Sequence, residues 1–107
     1  MRCGNSECLY TNIWERLLPT IVETVECGCD VKIDLNGAVF EAVGSRKTYS
    51  FKIVYKNGRV AEISNSAVAR DLADVLDGSP KFKSAAKDKN VVIRMGKNFN
   101  FSISFLS

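Results

Sequence analysis

Apolar residues occupy every second position from Tyr49 to Tyr55 and again from Phe99 to Phe105, and this period of two constrains what the chain can become. Successive side chains of an extended strand point to opposite faces. Tyr49, Phe51, Ile53 and Tyr55 therefore share one face, and Ser50, Lys52, Val54 and Lys56 the other. Phe99, Phe101, Ile103 and Phe105 repeat the arrangement against Asn100, Ser102 and Ser104. A sheet patterned this way buries one face under a second layer and leaves the other wet. The rings are read as core and the polar, partly basic side as surface.

The second layer is supplied by helices. Trp14, Leu17, Leu18, Ile21, Val22 and Val25 recur at spacings of three and four, the stripe of an amphipathic helix with Asn12 and Glu15 placed as a capping pair. Pro19 falls inside it, which predicts a kink or a split. Val68, Leu72, Val75 and Leu76 form a second stripe, started by Asn65 or Ser66 and stopped by Gly78 and Pro80. Two Asn-Gly pairs, Asn36-Gly37 and Asn57-Gly58, each between apolar runs, predict two hairpins. The expected fold is α+β: an antiparallel sheet of five to six strands with two helices on one face, in the order α-ββββ-α-ββ. At 107 residues this is one domain, 1–107, with a cysteine-containing N-terminal segment at 1–11 and a basic loop at 79–90.

Charge is unevenly spread. Residues 1–45 carry three basic against seven acidic side chains, a net of −4, whereas residues 46–107 carry twelve against five, a net of +7. A basic second half attracts phosphate or an acidic protein surface. The residues assigned to that role are Lys52, Lys56, Arg59, Lys81, Lys83, Lys87, Lys89, Arg94 and Lys97. Asp34, Glu41 and Glu62 are placed to share the polar face.

Catalytic signatures are missing. There is no histidine, so any mechanism resting on a histidine base or histidine metal ligand is excluded for this chain. The acidic residues Asp71, Asp74 and Asp77 lie opposite the apolar stripe of their helix and read as solvated surface. The glycines sit at turns and element ends, with no phosphate-cradling motif. No cofactor is expected.

Cys3, Cys8, Cys27 and Cys29 flank the first helix. Free thiols, disulfides and a four-thiolate metal site are the three readings. Reach limits the last: a straight helix from Asn12 to Glu26 is roughly 22 Å long, and Cys8 can reach back about 14 Å at most. The four meet within one chain only if Pro19 breaks the helix, so no metal is assigned. The C-x-C pair closes on itself only with strain.

Four meandering strands followed by a helix, over about residues 30 to 77, resemble the repeat of the PUR-alpha and whirly group of single-stranded nucleic-acid binders. That resemblance, one of topology, implies single-stranded nucleic-acid binding. The expected function is thus a small non-enzymatic binding or regulatory protein, acting on single-stranded nucleic acid through its basic half. The alternative is a protein-interaction module or stoichiometric inhibitor of the viral or mobile-element kind, and a homodimer is compatible with either. The opening residues MRCGNSECLY lack the apolar stretch of a secretion signal, and no run approaches the roughly 18 apolar residues of a membrane span. A cytoplasmic protein without membrane contact is expected.

Overall fold

The computed structural model describes residues 9–41 and 49–106. The elements are α1 (Leu9–Cys27), β1 (Val31–Asp34), α2 (Gly37–Glu41), β2 (Phe51–Lys56), β3 (Arg59–Glu62), α3 (Ala67–Asp77), α4 (Pro80–Ala85), β4 (Asn90–Met95) and β5 (Asn100–Leu106). The five strands form one antiparallel sheet in the order β1-β5-β4-β2-β3. The class is α+β, with four helices among the described residues.

α1 begins at Leu9, ahead of the expected Asn12, and runs unbroken through Pro19. Proline removes one amide donor and leaves the carbonyl four residues earlier without its helical partner. Glu15 and Pro19 both lie on the exposed side, so that carbonyl faces water. The inner side carries Ile13, Trp14, Ile21, Val22 and Val25, all buried. The helix ends where Gly28, at φ +76°, turns the chain and its amide donates to Thr24 at 3.0 Å.

α3 follows its sequence signals closely. Ser66 caps it by accepting from the Val68 amide at 3.2 Å, and Val68, Ala69, Leu72, Ala73 and Leu76 are buried. The stretch expected as a basic loop contains α4: Ser79 accepts from the Phe82 amide at 3.2 Å, Pro80 opens the helix, and Phe82 is fully buried against Tyr55 with ring centroids 5.0 Å apart. A ring buried to that degree contributes on the order of 2–3 kcal/mol, enough to order a short helix that also carries Lys81, Lys83 and Ser84.

Of the two Asn-Gly pairs, only the second makes a hairpin. Asn57 and Gly58 take φ of +54° and +78°, the left-handed pair that joins β2 to β3 with the twist strands require. Asn36 instead accepts from the Ala38 amide through its side chain at 2.9 Å, and Gly37 opens α2. The expected strand over AVFEAV is therefore helical as far as Glu41, and its last two residues lie outside the described residues. The expected four-strand meander is absent from the described residues. β1 pairs with β5 instead, Val31 opposite Ile103 and Ile33 opposite Phe101.

One face of the sheet carries Phe51, Ile53, Tyr55, Val91, Ile93, Met95, Phe101 and Ile103, all buried beneath the helices. Aromatic residues concentrate at one end, where Trp14 meets Phe40, Phe51 and Phe101 at centroid distances of 6.2, 6.3 and 5.6 Å. Tyr10 adds a hydroxyl contact with Tyr49 at 2.6 Å. No helix among the described residues is long and apolar enough to cross a membrane.

Candidate polyanion-binding face

The sheet register sets the side chains of the face opposite the helices in rows. Lys32 of β1 stands opposite Ser102 of β5, Ser102 opposite Arg94 of β4, and Arg94 opposite Lys52 of β2. Neighbouring strands lie 4.7–4.9 Å apart, so this row of three cations and a hydroxyl spans roughly 14 Å of backbone. Lys32, Lys52 and Arg94 are exposed and Ser102 is half-buried. The next row runs Ser104, Val92, Val54, Glu62, and its two valines are buried to 3% and 7% exposure. The third runs Leu106, Asn90, Lys56, Arg59.

Five cations, Lys32, Lys52, Lys56, Arg59 and Arg94, thus share the face with two acids, Asp34 and Glu62. A shallow hollow of about 550 Å³ is lined by Ser50, Phe51, Lys52, Arg94, Met95, Gly96, Asn100 and Ser102, two cations and three small hydrogen-bonding side chains among them. Arginine offers a planar fork to a phosphate or carboxylate and lysine a mobile point charge, so the row can bind successive anionic groups. The described part of the face presents no aromatic ring, because Phe51, Tyr55 and Phe101 all point into the core. Bases therefore have no stacking platform here.

Four of the nine residues singled out from the sequence, Lys52, Lys56, Arg59 and Arg94, come together on this face. Lys97 lies exposed in the turn between β4 and β5. Lys81, Lys83 and Lys87 are exposed in and just after α4, in the layer on the other side of the sheet. Lys89 serves the fold: its Nζ donates to the carbonyl of Val25 and, at 3.3 Å, to that of Glu26. A cation there satisfies the free carbonyls at the end of α1 and complements the helix dipole. Lys32 was missed by sequence reasoning. Its alternation with Val31 and Ile33 places it on a polar face, but only the pairing of β1 with β5 brings it into one row with Arg94, across Ser102. Glu41, expected on the face, lies in α2.

Two other features bear on chemistry. Asp77 has its carboxyl raised above the usual range, chiefly by burial and further by Asp74, with Lys83 opposing. An open groove of about 890 Å³ between α1 and α4 has Leu18, Pro19, Val22 and Ala85 on its walls with Glu23, Glu26, Lys81 and Lys89 around them. Among the described residues no three His, Cys, Asp or Glu side chains converge as metal ligands. Cys3 and Cys8 lie outside the described residues. No protein-family model, curated protein or solved structure matches the chain.

Proposed function

We propose that this is a non-enzymatic binding protein whose basic sheet face docks on the phosphate backbone of single-stranded nucleic acid, with little preference for base sequence. The observation that carries the reading is the cross-strand row of Lys32, Arg94 and Lys52, joined by Ser102. Charge without rings supports backbone contact over base readout, since phosphate contacts position a nucleic acid and base contacts specify it.

Fluorescence anisotropy with labelled single-stranded DNA and RNA tests it. For three to five phosphates neutralised, affinity falls roughly 20- to 100-fold between about 50 and 200 mM salt. Reversing two charges, Lys52→Glu with Arg94→Glu, abolishes binding, whereas Lys89→Ala lowers stability by about 1 kcal/mol and leaves the salt slope unchanged. Absence of binding at low salt, or equal binding by the charge-reversed protein, overturns the proposal. A second reading, an acidic protein surface as partner, is favoured by the same lack of rings on the face. It is distinguished by co-purification of a stoichiometric protein that nuclease treatment leaves in place.

A further inference from the structure

Cys27 is the last residue of α1, and Cys29 follows one residue past the turn. The two Sγ atoms lie 2.9 Å apart, less than an ångström beyond the bonded separation of about 2.05 Å, and both side chains are exposed. Two constraints of the backbone produce this approach. Gly28 takes φ +76° with nothing within 4 Å of where a Cβ would stand, so the glycine serves the left-handed turn rather than close packing. Lys89 ties down the carbonyls of Val25 and Glu26, which holds the last turn of α1 in place beneath Cys27.

We propose that Cys27 and Cys29 form a reversible dithiol–disulfide site that exchanges with low-molecular-weight disulfides of the glutathione type. Cys29 Sγ also donates to the Cys27 carbonyl at 3.8 Å, and either sulfur can be the donor across the 2.9 Å contact. Cys29 keeps its proton more firmly than an ordinary thiol, first through its hydrogen bond to Cys27, then through the charge of Cys27, burial and Asp30. Cys27 is accordingly the attacking sulfur. Its thiolate adds to one sulfur of the external disulfide, that S–S bond breaks, and one thiolate leaves and takes up a proton. Cys29, deprotonated, then attacks Cys27 Sγ, displaces the second external thiolate and closes the internal disulfide. The protein loses two electrons and two protons, and the external disulfide becomes two thiols. A bridge across a single residue is strained, which places it among the labile, exchangeable disulfides rather than the structural ones.

The experiment treats the reduced full chain with glutathione disulfide, quenches with acid and N-ethylmaleimide, and maps the products after trypsin. Cleavage after Arg16 and Lys32 releases a peptide, 17–32, that holds Cys27 and Cys29 and neither Cys3 nor Cys8. The expected product is that peptide lighter by two hydrogens, unalkylated, and restored by excess reduced glutathione. Cys29→Ser is expected to retain glutathione on Cys27, because the resolving thiol is gone. Three results overturn the proposal: both cysteines alkylated after treatment, a lasting glutathione adduct on the wild-type peptide, or a cross-link from it to Cys3 or Cys8.

Discussion

The indole Nε1–H of Trp14 donates to the carbonyl of Val68 at 3.0 Å, fastening the first half of α1 to the first turn of α3. Trp14 is fully buried and its ring touches Phe40, Phe51 and Phe101, so one side chain joins three elements to the sheet. Trp14→Phe removes the hydrogen bond and part of the ring, with an expected cost of about 1–3 kcal/mol. Trp14→Ala opens a cavity costing about 3–5 kcal/mol. Urea unfolding measures both. Equal stabilities for the two variants would show that the hydrogen bond, and not the ring volume, dominates.

Phe99 sits in the turn between β4 and β5 at φ +60°, a left-handed conformation that costs an L-residue roughly 1–2 kcal/mol. The turn keeps it there because its amide donates to Gly96 at 3.1 Å and its carbonyl accepts from Leu35 at 2.9 Å. Its ring is stacked on Phe40 at 5.0 Å. Phe99→Ala loses the stacking and keeps the strain, while Phe99→Gly loses the stacking and relieves it. The glycine variant is therefore expected to be the more stable of the two by roughly 1 kcal/mol. A glycine variant that melts lower than the alanine one contradicts this account of the turn.

Tyr55 buries a hydroxyl with no hydrogen-bond partner among the described residues. Burial, helped by the negative charges of Asp77 and Asp74, raises its pKa well above that of a free phenol. Above about pH 10 the unfolded chain releases a proton that the folded protein retains, so the unfolded state binds fewer protons and stability falls by up to about 1.4 kcal/mol per pH unit. Below pH 10 the group contributes no slope. Tyr55→Phe is expected to leave neutral-pH stability unchanged or raise it by about 1 kcal/mol, and to flatten the alkaline decline. Unfolding curves from pH 8 to 11 decide it; an alkaline slope identical in both proteins would show that other groups carry it.

The contrast between the two Asn-Gly pairs marks where local signals suffice. At Asn57-Gly58 the flanking strands β2 and β3 are each other's neighbours, so the dipeptide's left-handed preference and the tertiary pairing agree. At Asn36-Gly37 the same dipeptide precedes a short helix, because β1 takes its partner from the far strand β5 and Phe40 is drawn into the aromatic cluster around Trp14. Ser79 and Pro80, by contrast, did announce α4, as cap and first helical residue, and the surrounding lysines obscured them. The candidate face divides in the same way. Lys52 and Arg94 were legible from alternation alone, but their alignment with Lys32 depends on a pairing that leaves no trace in neighbouring residues.

Because β1 is completed by β5, Val31 cannot find Ile103 until nearly everything between them has been synthesised. The hairpin of β2 and β3, followed by α3 and α4, can organise from nearby contacts as it leaves the ribosome, and α1 can pack on α3 once that helix has emerged, while β1 must wait. Pairings between residues so far apart in sequence are slow to form, since the intervening chain has to be ordered before the contact repays it. The interval before β5 arrives is thus the period in which a nascent chain of this design exposes an unpaired strand to its neighbours, and in which it most needs a chaperone.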